Sequence, residues 1–378
     1  MSKRLVVCLD GTWNTPDDKR NATNVVKIMR AIRLSGDGET KQITFYDKGV
    51  GTGGPIDRLR GGAFGRGLGD NVQDGYRFLA NNYEDDDEIY IFGFSRGAFT
   101  ARSLAGLIGL CGLLTKDTMG QLPRAWALYR TPIAERDETE RNAIHDLGRK
   151  EVPIRCVGVW DTVGALGVPV ERLRWLNRGK YQFHDTTLGA NLACALHAIA
   201  IDEQRGPFVP TLWQTPDRET EGQIVEQVWF SGVHSNIGGS YDDAGLSDLA
   251  LDWMIKRVRK HTELSFDDDY IRDHVNGNAM GTLYESRSGL YAASRLLPYQ
   301  RVLGGQDDWV RRFLRRSNRA EPGKSFVAER IHQSALDRFG KAAPFQSGDK
   351  KTEAVYEPKN LEAARGKLPV VGYDGELV

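Results

Sequence analysis

Ser95, Asp161 and His234 are the residues whose types and placement could do chemistry together. Ser95 is the centre of Gly93-Phe94-Ser95-Arg96-Gly97, which follows the apolar run 89–92 and leads into a long helical pattern. A G-x-S-x-G turn between strand and helix lifts a serine hydroxyl above a sheet. The flanking glycines are needed because the turn is sharp and a side chain would crowd the strand or the helix. Asp161 directly follows the apolar run 154–160, and His234 follows the run 224–230 by way of Ser231-Gly232-Val233. All three stand at the C-terminal ends of strand patterns, the edge at which open α/β sheets build their sites. A lone serine hydroxyl is a weak nucleophile, so an imidazole must take its proton. A carboxylate must then hold the imidazole in one tautomer and stabilise its cation. On this reading Ser95 is the nucleophile, His234 the general base and acid, and Asp161 the orienting carboxylate.

The other histidines fit less well. His145, His261, His274 and His332 lie in charged helical or loop surroundings, His184 is not at a strand end, and His197 sits in the apolar run 188–201, which reads as a helix. For the acid, Asp202 and Asp242 are rivals of Asp161, and Asp202 is a candidate supporting residue. An oxyanion needs backbone N–H donors. One is expected from Arg96, the residue after the nucleophile, and the other from the loop after the first strand, at Gly11 or Thr12. Asp10 would brace that loop, pair with Arg96, or simply open an Asp-Gly turn. Asp10-Gly11-Thr12 also invites comparison with phosphatases that begin D-x-D-G-T. Cys8 stands where their nucleophilic aspartate would be, so that chemistry has no starting point.

The elements that must position these residues follow from the hydrophobic pattern. Residues 5–9 form a continuous apolar run, as in a strand buried on both faces. A helix is expected over 24–33, a strand over 43–46, a helix over 71–81 and a long apolar helix from Gly97. The glycine-dense stretch 49–69 is expected to hold little regular structure and to form a loop beside the site. Its Gly65-Arg66-Gly67-Leu68-Gly69 lacks the features of a nucleotide loop. Residues 115–150 read as a charged helical insertion and 245–320 as a further helical region. Alternating strands and helices predict an α/β fold with a mostly parallel sheet and helices on both faces. The expected catalytic unit spans 1–340, and 341–378 is expected to be a C-terminal extension.

Composition narrows the function classes. The chain has 378 residues, 51 basic and 51 acidic, and no net charge, which gives no footprint for nucleic acid. Cys8, Cys111, Cys156 and Cys194 make no C-x-x-C pair and read as buried hydrophobes of a reduced compartment, so neither a metal site nor a cofactor is expected. Residues 308–319 alternate Trp309, Val310, Phe313 and Leu314 with arginines. That helix either packs on the core or touches an anionic bilayer peripherally.

Seven linked blocks resemble the catalytic domain of the type VI secretion phospholipase effector family, a branch of the α/β-hydrolases. They are Asp10-Gly11-Thr12-Trp13-Asn14, Gly49-Val50-Gly51-Thr52, Gly93-Phe94-Ser95-Arg96-Gly97-Ala98, Trp160-Asp161-Thr162-Val163-Gly164, Asp202-Glu203-Gln204-Arg205, Val233-His234-Ser235-Asn236-Ile237-Gly238-Gly239 and Leu246-Ser247-Asp248. Asn236 stands where the family often has aspartate. The resemblance implies an α/β-hydrolase fold and a Ser-Asp-His esterase acting on lipid acyl esters, with an immunity protein as partner if the chain is a secreted effector. The N-terminus shows no signal-peptide pattern, so synthesis in the cytoplasm is expected, with any export by a route that needs none. The alternative is a hydrolase-fold protein without catalysis that serves as a binding or signalling module.

Overall fold

A computed structural model of the chain describes residues 2–11, 22–36, 40–49, 61–164, 188–214, 221–287, 299–304 and 326–378, with the backbone alone for 61–66 and for Pro207. Its strands are β1 (Arg4–Leu9), β2 (Gln42–Asp47), β3 (Glu88–Phe94), β4 (Leu113–Leu114), β5 (Gly148–Arg149), β6 (Ile154–Trp160), β7 (Cys194–Ala200), β8 (Ile224–Phe230), β9 (Leu283–Tyr284), β10 (Glu329–His332), β11 (Ala342–Ser347), β12 (Lys350–Val355) and β13 (Val370–Val371). Eight of them form one sheet in the order β13-β10-β8-β7-β6-β3-β1-β2, with every neighbouring pair parallel.

Parallel strands need crossovers, and the crossover helices cover both faces. β1 shows the consequence in one strand. Leu5, Val7 and Leu9 face the core built with α2 (Gly61–Asn82) and α3 (Arg96–Cys111), whereas Val6 and Cys8 face the core built with α1 (Asn24–Ala31) and the helix Gly245–His261. The period of two sorts a continuous apolar run onto two cores. A third cluster joins Ile199, Trp229 and Ile331 to Tyr356 and Leu361, which ties the end of the chain to the middle of the sheet.

The chain order reverses at β1: β2 lies on one side of it and β3 on the other. Loops leaving β1 and β3 therefore diverge to opposite faces and open a crevice at their C-terminal ends, where ligands of such sheets bind. The architecture is α/β-hydrolase-like, a parallel sheet with helices on both faces.

Two local expectations are corrected. Residues 194–200 are strand β7 and not part of a helix. The run is rich in alanine, a strong helix former, but it is buried on both faces in mid-sheet, and periodicity cannot separate such a strand from a buried helix. Helix α2 begins at Gly61, inside the stretch expected to be irregular. Residues 115–150 contain helices Leu122–Arg130 and Glu138–His145, and residues 341–378 supply β11, β12, a short helix Lys359–Ala364 and the edge strand β13. Thr12, residues 50–60, His184 and the arginine-rich stretch 308–319 lie outside the described residues. Among the described residues no helix is long and apolar enough to cross a membrane, and no cluster of side chains has the makings of a metal site.

Candidate active site

Ser95 sits between the last residue of β3 and the first of α3, with φ 60° and ψ −118°. A side chain at φ > 0 is strained, and here the surroundings over-determine it. The Ser95 amide donates to the Trp160 carbonyl at 3.0 Å. A Cβ on Gly93 would lie 2.5 Å from the Gly97 carbonyl oxygen. The turn therefore closes only with glycine at that position, which is why the serine is held out of both strand and helix.

The structure brings Ser95, Asp161 and His234 together. His234 Nε2 lies 2.7 Å from Ser95 Oγ, and its Nδ1 lies 2.5 Å from Asp161 Oδ2. Asp161 directly follows β6, has no exposed surface and itself takes a positive φ of 42°. Burial alone would raise its carboxyl, but the charge of Arg301 and the bond from His234 outweigh this and hold it well below the usual carboxylate range. Burial pushes the His234 imidazole down from its ordinary value, against the pull of Asp161. The ring is thus neutral near pH 7, and with Nδ1–H donating to the carboxylate its Nε2 lone pair faces the serine hydroxyl. Two aromatic rings hold the imidazole: Phe94 at 4.7 Å between centroids and Phe208, edge-on, at 4.9 Å. A Cβ on Gly238 would fall 2.0 Å from the Phe94 ring, so that glycine makes room for the ring beside the histidine.

The loop after β1 lies beside the elbow. Asp10 Oδ1 accepts the Gly11 amide at 2.6 Å, and Oδ2 accepts the hydroxyls of Thr23 at 2.5 Å and Tyr46 at 2.9 Å. Asp10 therefore braces its loop. The Gly11 N–H, one of the two amides expected to face an oxyanion, is engaged by that carboxylate. The Arg96 amide belongs to the first turn of α3, whose N–H groups point along the axis toward the N-terminal end.

Asp202 and Glu203 follow β7 and grip the histidine loop from its backbone. Gly232 N donates to Asp202 Oδ2 at 2.7 Å, and His234 N donates to Glu203 Oε2 at 3.2 Å. Arg205 binds the buried Glu203 carboxylate with Nε and Nη2, both at 2.9 Å, and its guanidinium lies 3.6 Å from the centre of the Phe208 ring. Asp202 also accepts the Tyr356 hydroxyl at 2.9 Å, and burial raises its carboxyl to about 6. Asp202 is thus a support of the loop and makes no bond to the imidazole, while Asp242 is exposed. His197, a neutral core residue, accepts the Thr162 amide at 3.1 Å and braces the turn after Asp161.

Glu203, Arg205, Phe208 and Arg301 escaped the sequence reading as parts of the site. For Glu203 and Arg205 there was a signal: once residues 194–200 are a strand, Asp202-Glu203-Gln204-Arg205 falls on the same sheet edge as Ser95 and Asp161. Arg301 had none. It comes from the segment 299–304 with no exposed surface and meets Asp161 with both terminal nitrogens, Nη1 to Oδ1 at 2.5 Å and Nη2 to Oδ2 at 3.0 Å.

Comparison with known proteins gives the family of the chain. The model of the family described as type VI secretion, phospholipase effector Tle1-like, catalytic domain matches residues 3–257, more than half of the chain. The uncharacterized protein YEL023C of Saccharomyces cerevisiae is 29% identical over 229 residues, covering 54% of this chain and 32% of its own length. Two solved structures are also similar. An uncharacterized protein from Pseudomonas aeruginosa has a TM-score of 0.42 at 18% identity, over 73% of this chain and 49% of its own. The Tle1 effector bound to the VgrG spike of the type VI secretion system has a TM-score of 0.36 at 19% identity, over 65% of this chain and 52% of its own. The chain thus spans about a third of the yeast relative and about half of the two solved chains. On the family match, which contains Ser95, Asp161 and His234, this chain belongs to the Tle1-like phospholipase effector family, in its catalytic domain.

Proposed function

We propose that the protein is a serine hydrolase that cleaves carboxylic esters of lipids, phospholipids foremost, through an acyl-enzyme on Ser95. The observation that carries this reading is the unbroken chain of hydrogen bonds from Ser95 through His234 to a buried, ionised Asp161. In the first half-reaction Ser95 Oγ passes its proton to His234 Nε2 and bonds to the ester carbonyl carbon. Asp161 stabilises the imidazolium that forms. The imidazolium then gives its proton to the leaving alcohol as the C–O bond breaks. Water repeats the sequence, with His234 as base, and releases the fatty acid.

The tetrahedral oxyanion would be met by the Arg96 amide and by an amide of the loop after β1. Of the two candidates there, Gly11 N is held by Asp10 and has to be released as substrate enters, and Thr12 lies outside the described residues. The lipid class rests on family membership. An immunity protein as partner belongs to the same proposal only if the chain is a secreted effector.

A fluorophosphonate probe and phospholipid vesicles test the reading. The wild-type protein should take the label on Ser95 and release free fatty acid and lysophospholipid, detected by mass spectrometry, and Ser95→Ala should do neither. A folded wild-type protein that takes no label, with equal turnover in Ser95→Ala, would sink the enzyme reading and leave a binding or signalling module. Label without phospholipid turnover would keep the hydrolase and redirect the search to neutral esters.

A further inference from the structure

We propose that Arg301 is a positioning residue that fixes the Asp161 carboxylate and tunes how readily His234 takes up a proton. The proposal rests on the reading of Ser95, His234 and Asp161 as a catalytic set. A carboxylate has about four lone-pair sites, and all four are used here. Oδ1 accepts Ala200 N at 3.0 Å and Arg301 Nη1, and Oδ2 accepts Arg301 Nη2 and His234 Nδ1. The guanidinium fork sets the plane of the carboxylate, so Oδ2 can meet the imidazole in one direction only. The fork is itself held: Nη1 donates to the Ala200 carbonyl at 2.8 Å, Nη2 to the Phe208 carbonyl at 2.7 Å, and Asn360 Nδ2 donates to the Arg301 carbonyl at 3.2 Å. Arg301 and Asn360 both lie beyond the matched residues 3–257, so the last third of the chain completes the site.

The charge balance gives the second consequence. In a bare Ser-His-Asp set the aspartate draws a proton onto histidine. Here Arg301 cancels much of the Asp161 charge. From the turn after β7, Arg205 pushes the imidazole down and Glu203, which it binds, pushes it up by less. His234's own short helix, His234–Gly238, adds no charged side chain. His197, on the far side of Asp161, is held neutral, its pKa down to about 3. Asp202, raised by burial to about 6, holds Gly232 of the same loop and titrates in the same range. A histidine in this setting stays neutral, and able to act as base, to lower pH than one facing an unpaired aspartate.

The test is the rate of fluorophosphonate labelling of Ser95 in the full chain, from about pH 4.5 to pH 9. The wild-type acid limb should have its midpoint below the ordinary histidine value of about 6.5. Arg301→Met should move the midpoint up by about one unit. It should also slow labelling at the optimum by about 10- to 100-fold. A merely structural role would lower the rate at all pH values without moving the limb, and an unmoved midpoint in folded Arg301→Met overturns the proposal. If Arg301→Met does not fold, as judged by circular dichroism, Arg301→Gln decides. It removes the charge and keeps an amide donor, so a rise of about one unit in the midpoint supports the proposal, whereas a midpoint within about half a unit of wild type overturns it. Asp202→Asn is the control: a limb that moves with that variant and not with Arg301→Met belongs to Asp202 and overturns the proposal. Labelling that persists in Ser95→Ala defeats the catalytic reading and this inference together. Labelling lost in Ser95→Ala, with a limb that no Arg301 variant moves, defeats the inference alone.

Discussion

Gly97 lies against the end of β1 so closely that a Cβ there would sit 2.0 Å from the carbonyl oxygen of Leu9. The contact is backbone to backbone and has no side chain to move aside. It ties the elbow that carries Ser95 to the strand that leads into Asp10 and Gly11, and so sets the nucleophile against the proposed oxyanion loop. Gly97→Ala should cost more than about 3 kcal/mol, since small-to-large changes in packed interiors already cost 1–3 where side chains can give. Urea unfolding checks this, and a variant of near wild-type stability would show that α3 can shift away from β1.

His234→Ala removes the proposed base and leaves the elbow in place. Labelling and ester turnover should fall by about 10⁶-fold. Circular dichroism should show the fold retained. Unchanged turnover would move the base elsewhere.

Asp161 and Arg301, both without exposed surface, should be strongly coupled in stability. Asp161→Asn leaves a buried guanidinium without its counter-charge, and the expected loss is about 3–5 kcal/mol. Adding Arg301→Met should restore part of it while activity stays low. Additive losses in the double-mutant cycle would rule out the coupling. The Asp161 carboxyl is depressed in the folded state, so its stabilisation is present above the unfolded value of about 3.9 and is lost only as pH falls through the lower folded value. The cycle should therefore give one answer from about pH 5 upward.

His197 and His332 are buried neutral, both down to about 3: His197 by burial and then by the charge of Arg102, His332 by burial and then by Lys256. The unfolded chain takes up these protons from about pH 6.5, and the folded chain does not. Stability should therefore decline as pH falls from about 6.5 toward 3, with a slope of about 1.4 kcal/mol per pH unit for each histidine. His197→Gln, which can still accept the Thr162 amide, should take about 1.4 kcal/mol per pH unit out of that slope in urea unfolding at stepped pH. An unaltered slope would remove His197 from the account.

How much was legible can be judged residue by residue. The Gly93–Gly97 turn, the strands ending at Trp160 and Phe230 and the residues that follow them are local features, so Ser95, Asp161 and His234 stood out in one dimension. β7 did not, because an alanine-rich strand buried on both faces has neither the alternation of a half-exposed strand nor the stripe of a surface helix. That misreading also hid Glu203 and Arg205, whose meaning depends on standing at a sheet edge. The two-residue strand β13 has no pattern to read at all.

The sequence by itself determined the class of fold, the family and the three residues of the proposed set, since each rests on short-range spacing that covalent geometry enforces. Tertiary structure alone decided what surrounds them. Arg301 meets Asp161 across 140 residues, and Tyr356 meets Asp202 across 154. No local pattern encodes such contacts. They exist because the sheet order brings the ends of β6, β7 and β8 side by side, and because a charge buried there must find its partner wherever in the chain one can be supplied.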